Sequence, residues 1–94
     1  MGNLNATFAL YLLIIVIGYF VKRLSVSIQR SIHRKLVVLD SITELKQLKS
    51  PRLMLEKLEH ERKGQWSVRV NDQFRLCFRF TKGNCYDVEL VDYH

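Results

Sequence analysis

The sequence predicts an α+β domain, with N-terminal helices packed on a small antiparallel sheet and an atypical apolar helix ahead of them. Three observations carry this. The hydrophobic period changes from helical to alternating after Gly64, turn residues stand at 71–72 and 82–83, and no charge occurs before Lys22. Helices followed by a run of alternating strands are the pattern of α+β proteins.

The chain of 94 residues allows one domain at most. Its charge is unevenly spread. All 15 basic and 9 acidic residues lie beyond Val21, and between Lys22 and Lys82 the bases meet only six acids, a local net of +9. The last 12 residues hold Asp87, Glu89 and Asp92 and no base. A segment so basic attracts polyanions or an acidic partner through its long-range field. Cys77 and Cys85 are too few for a disulfide scaffold, and neither has the spacing of a zinc ligand set, so both read as small buried side chains of a reduced compartment.

Residues 1–21 form the first unit. Within them the stretch from Ala6 to Val21 has 14 apolar residues interrupted by Thr7 and Gly18. Sixteen helical residues reach roughly 24 Å, short of the ~30 Å of a hydrocarbon core. The segment reads as a membrane anchor over residues 6–21, as a buried helix on the domain or on a partner, or as a non-native or aberrant N-terminus. Lys22 and Arg23 would keep an anchor's C-terminal end in the cytoplasm. The protein is then cytoplasmic or, in the anchored reading, associated with the inner membrane with its C-terminal domain in the cytoplasm.

In the second unit, residues 22–94, Leu24, Ile28, Ile32, Leu36 and Leu39 recur at spacings of four, four, four and three, one face of an amphipathic helix. Asp40 and Ser41 end it. Ser41 with Glu44 reads as a capping box opening a short helix over 42–48, which Ser50-Pro51 stops. After Gly64, Trp66, Val68 and Val70, then Phe74, Leu76, Phe78 and Phe80, then Tyr86, Val88 and Leu90 alternate with other residues, a meander of three strands. A two-residue loop at Lys82-Gly83 would bury Asp87 and Glu89 against Phe78 and Leu76. A three-residue loop, Thr81-Lys82-Gly83, pairs Phe78 with Tyr86 and Leu76 with Val88 instead, and is preferred.

In that register Arg75 stands beside Glu89 as an ion pair, and Arg69 stands directly opposite Arg75. Like charges opposed across strands are destabilising, and a phosphate received between them would explain the arrangement.

The run from Glu61 to Phe80, with its RKGQWS and NDQFRLCFRF segments, and the ending Tyr86-Asp87-Val88-Glu89-Leu90-Val91-Asp92-Tyr93-His94 resemble the HigB group of RelE-like toxins over about residues 22–94. The resemblance implies a RelE-like fold and the toxin of a type II toxin–antitoxin pair. Such a toxin is a ribosome-dependent mRNA endoribonuclease, neutralised by a HigA-like antitoxin with a helix-turn-helix domain. It implies that Arg75 contacts RNA phosphate and that Asp92, Tyr93 and His94 form the active site. No cofactor or metal is implied: the RNA 2′-OH attacks the adjacent phosphate, His94 serves as acid or base, and cations stabilise the developing charge. Arg62, Lys63, Arg69 and Arg79 are the RNA-binding candidates.

Two features depart from the family's pattern. Glu59 and His60 stand where a lysine and a turn glycine are expected, and the first 21 residues do not belong to the pattern. They keep two other readings open: an inactive or attenuated fold-mate that binds antitoxin in transcriptional repression, and a membrane-tethered module that binds RNA or a partner.

Overall fold

A computed structural model of the chain describes residues 24–92. The expectations for residues 1–21, and those for Tyr93 and His94, lie outside the described residues. Within them no helix is long and apolar enough to cross a membrane.

The amphipathic stripe becomes helix α1 (Val26–Ser41). Ser25, in an extended conformation, caps it by accepting the Ile28 amide on its hydroxyl at 3.2 Å. Ile32, Leu36 and Leu39 are buried, and Leu24 and Ile28 pack beside them. The helix runs through Asp40 and Ser41 because the Ser41 hydroxyl donates to the Val38 carbonyl at 2.8 Å within its last turn. Ser41 therefore does not open a second helix. The helix expected over 42–48 is a single 3-10 turn, Leu45–Leu48, capped by Gln47, whose side-chain oxygen accepts the Thr43 and Glu44 amides at 2.7 and 2.8 Å.

Four strands form one antiparallel sheet in the order β1 (Glu56–Lys57), β2 (Trp66–Arg69), β3 (Phe74–Thr81), β4 (Asn84–Asp92). The expected meander is β2–β4. The edge strand β1 is too short for its periodicity to show in the sequence. The first hairpin has the expected register, with Val68 opposite Leu76 and Arg69 opposite Arg75.

The second hairpin differs. Thr81 pairs with Asn84 across a two-residue turn in which Lys82 and Gly83 both have positive φ, 52° and 81°. That backbone twists with the strands, which is why primed turns dominate tight hairpins. The turn slips the register by one residue from the expected one, so Cys85 enters the core and Tyr86 lies opposite Arg79. Continued along the strand, this slip would bury the acids. An irregularity between Cys77 and Arg79, where β4 carries an extra residue and Asp87 takes φ 52°, shifts the register by one further residue in the same direction and so restores the inward and outward alternation. Beyond it Leu76 pairs with Leu90, and Val88 and Leu90 again pack on the core.

The core lies between α1 and one face of the sheet, with Val68, Leu76, Phe78 and Cys85 against Ile32, Leu36 and Leu39 and Leu48 at its margin. Each such aliphatic or aromatic side chain contributes about 1.5–3 kcal/mol on burial. That is enough to fix the sheet's other face in place.

Candidate functional site

The face of the sheet away from α1 carries the polar residues of the strands. Ser67 and Cys77 lie opposite one another and are fully buried. Burial pushes the Cys77 thiol up from its ordinary value, with Arg62, Glu89 and Arg75 as its charged surroundings. Burial likewise pushes Cys85, on the core side, up to about 12. Both cysteines are free, as small buried side chains should be.

Arg75 is the best-anchored of the candidates. Its side chain is only 8% exposed, its Nε donates to the Ser67 hydroxyl at 2.7 Å, and its Nη1 meets Glu56 at 3.2 Å. Its Nη2 donates to the Met54 carbonyl. Met54 has φ 45°, a left-handed conformation that a non-glycine residue holds only when its surroundings enforce it. The guanidinium thus ties the loop before β1, β1 itself and β2 to β3.

The expected pairing of Arg75 with Glu89 does not form. The extra residue in β4 sets Arg75 opposite Val91 and moves Glu89 opposite Cys77. There Glu89 takes Arg62 in a two-pronged contact, Nη1 to Oε1 and Nη2 to Oε2, each 3.2 Å. Arg62 Nη1 also donates to the Gln65 side-chain oxygen at 3.1 Å. Arg79 Nε lies 3.6 Å from Asp87 Oδ2. A Cβ on Gly64 would come within 3.0 Å of Arg79 Nη1, so glycine leaves that guanidinium its room. Arg69 pairs with Asp72.

The opposition of Arg69 to Arg75 is thus relieved by a separate carboxylate for each. Arg62, Arg69, Arg75 and Arg79 each have an acidic partner, and Lys63 is exposed. Asp92 stands opposite Phe74 at the end of the sheet nearest the first hairpin turn, and its carboxylate accepts from Gln73 at 3.1 Å. It is one position beyond the Arg75–Val91 pair, and the residues after it, Tyr93 and His94, lie outside the described residues.

Glu59 immediately precedes a 3-10 turn, His60–Arg62, beside an open depression of about 250 Å³ lined by residues 58–62. His60 has φ 56°, the conformation glycine adopts freely, so the backbone keeps the shape of a glycine turn although the side chain differs.

Sequence reasoning missed Ser67, Glu56 and the Met54 carbonyl as partners of Arg75. Ser67 was accessible through register, since it adjoins Arg69; nothing in the sequence marks the carbonyl. It also missed a second basic cluster. Burial and the nearby charges of Arg34, Arg52 and Arg69 hold the Lys35 amine below its usual range.

The model of the RelE-like toxin of type II toxin–antitoxin systems, HigB, matches residues 20–94. The chain belongs to the HigB-like toxin family. Among curated proteins it is similar to Endoribonuclease HigB of Proteus vulgaris, 33% identical over 63 residues, 67% of this chain and 68% of the relative. The family match contains all of the described residues. Among the described residues the α+β architecture, one α-helix on a four-stranded antiparallel sheet, is consistent with a RelE-like fold.

Proposed function

We propose that the protein is the toxin of a type II toxin–antitoxin pair and that it cleaves mRNA on the ribosome. Membership of the HigB-like family is the observation that carries this reading, and the similar protein of Proteus vulgaris is named an endoribonuclease. The reaction is attack by an RNA 2′-OH on the adjacent phosphate. The 2′ proton goes to a base, the bond to the 5′ oxygen breaks, and an acid returns a proton to that oxygen, leaving a cyclic phosphate and a 5′-OH.

His94 is assigned the proton transfer, since imidazole titrates near neutrality. Asp92 orients it from the end of β4, and Tyr93 stacks on a base or steers the phosphate. Arg75 stabilises the charge of the transition state, with Arg62, Lys63, Arg69 and Arg79 along the RNA backbone. The partners in this reading are ribosome-bound mRNA in the cytoplasm and a HigA-like helix-turn-helix antitoxin. Residues 6–21 are the candidate for any membrane attachment.

Induction of the full chain should arrest growth and create new mRNA 5′ ends in primer extension. Arg75→Ala and His94→Ala should each abolish both. Unchanged growth and mRNA ends on wild-type induction would leave the second reading, a fold-mate that binds antitoxin without cleaving.

Glu59 favours that second reading, because an anion stands where the family pattern has a lysine. Glu59→Lys should raise cleavage by exchanging that anion for a cation near the phosphate. A fall in cleavage would mean that another residue holds the lysine's place.

A further inference from the structure

Two of the partners of Arg62 differ in kind. Gln65 is neutral and reaches Nη1 at 3.1 Å, while Glu89 is an anion that spans both terminal nitrogens at 3.2 Å. Two oxygens set side by side before a guanidinium fork are also what a phosphate presents. The Glu89 side chain is 59% exposed and that of Arg62 30% exposed. A pair so open to water contributes little to folding. Glu89 lies opposite Cys77, on the strand face that also bears Arg75 and Arg79.

We propose that Glu89 occupies the seat of an RNA phosphate on Arg62, so that RNA engages this face by displacing the carboxylate and Glu89 sets the affinity. The proposal rests on the reading of the protein as an RNA-cleaving toxin and adds a residue that the reading does not contain. When RNA displaces Glu89, one ion pair replaces another, and the freed carboxylate recruits a cation from solution. Binding at Arg62 then releases no net counterion. Replacing Glu89 by a neutral residue removes both the competition and the recruited cation.

The test is the binding of a fluorescently labelled single-stranded RNA to the full chain in non-ionic detergent, read by anisotropy over a range of salt concentrations. Glu89→Gln should tighten binding about two- to fivefold, the range expected for an exposed pair. The plot of log affinity against log salt should steepen by about 0.7, one further phosphate contact on a single strand. Glu89→Ala should do the same, and Glu89→Asp, which keeps the charge, should stay near wild type. In an Arg62→Gln background Glu89→Gln should lose most of its effect. If wild type binds RNA and both neutral variants bind equally or more weakly, Glu89 is not a competitor and this proposal alone fails. If neither wild type nor any variant binds RNA, the RNA reading of the face fails and takes the proposal with it.

Discussion

Towards α1 the sheet presents Val68, Leu76, Phe78 and Cys85, all buried and all apolar. Away from it the same strands present Ser67, Arg75 and Arg79, of which only Ser67 and Arg75 are buried. The first face is held by burial, which is additive and indifferent to partner identity. The second is held by specific contacts, among them a carboxylate for each arginine, so its stability depends on which residue meets which. The core face therefore tolerates any apolar residue of similar volume, whereas the arginine face changes character with a single partner.

The sharpest way to probe this difference begins on the core face. Phe78→Ala should cost about 3–5 kcal/mol, the range for truncating a buried aromatic, measured by denaturant unfolding. A loss no larger than that of an exposed residue would mean that the helix is not seated on the sheet.

The next largest effect is one of pH. The Cys85 thiol is raised to about 12 from an ordinary 9.0 by burial. The unfolded thiol ionises first, so the stability it supports is complete below pH 9 and is lost as pH rises toward 12. Unfolding free energy should fall over that window, and Cys85→Ala should flatten the fall. A profile as steep in the variant would assign the alkaline loss to other groups.

On the polar face, Ser67→Ala removes the acceptor of the buried Arg75 Nε and should cost about 1–3 kcal/mol. Equal stability would show that the guanidinium needs no such anchor. The smallest effect is expected at the half-buried Arg79 and the exposed Asp87: Asp87→Asn should change stability by at most about 1 kcal/mol, and less in high salt. An effect above that of Ser67→Ala would reverse the ranking of buried over exposed pairs on this face.

The core face was legible in the sequence because burial leaves a period. The stripe Leu24, Ile28, Ile32, Leu36, Leu39 and the alternation of β2 and β3 both reached the structure intact. The register of β4 did not, for an instructive reason. In a uniform ladder a two-residue turn buries acids, so a uniform ladder favours the three-residue loop. The chain keeps the turn and corrects the ladder at Asp87, a local conformation with no hydrophobic signature. The expected Arg75–Glu89 pair was lost with it, since it depended on that register. The place of Arg75 in the site is what the resemblance implies. That its partners are Ser67, Glu56 and a loop carbonyl depended on a β1 strand only two residues long. The turn at His60 was legible as a departure in side chain, yet its backbone keeps the left-handed shape.

The tie made by Arg75 has a consequence for motion. The segment before and within β1 is attached to β2 by the Arg69 amide donating to the Leu53 carbonyl at 2.7 Å, by the β1–β2 ladder, and by the Leu58 amide donating to the Gln65 carbonyl at 2.9 Å. Arg75 fastens the middle of the same stretch through Met54 and Glu56. Residues 53–58 should therefore peel from the sheet as one cooperative unit rather than fray residue by residue. In native-state hydrogen exchange the Arg69 and Leu58 amides would then share one opening free energy. Releasing Arg75 from Ser67 would lower that shared value while leaving the amides between β3 and β4 at the value of global unfolding.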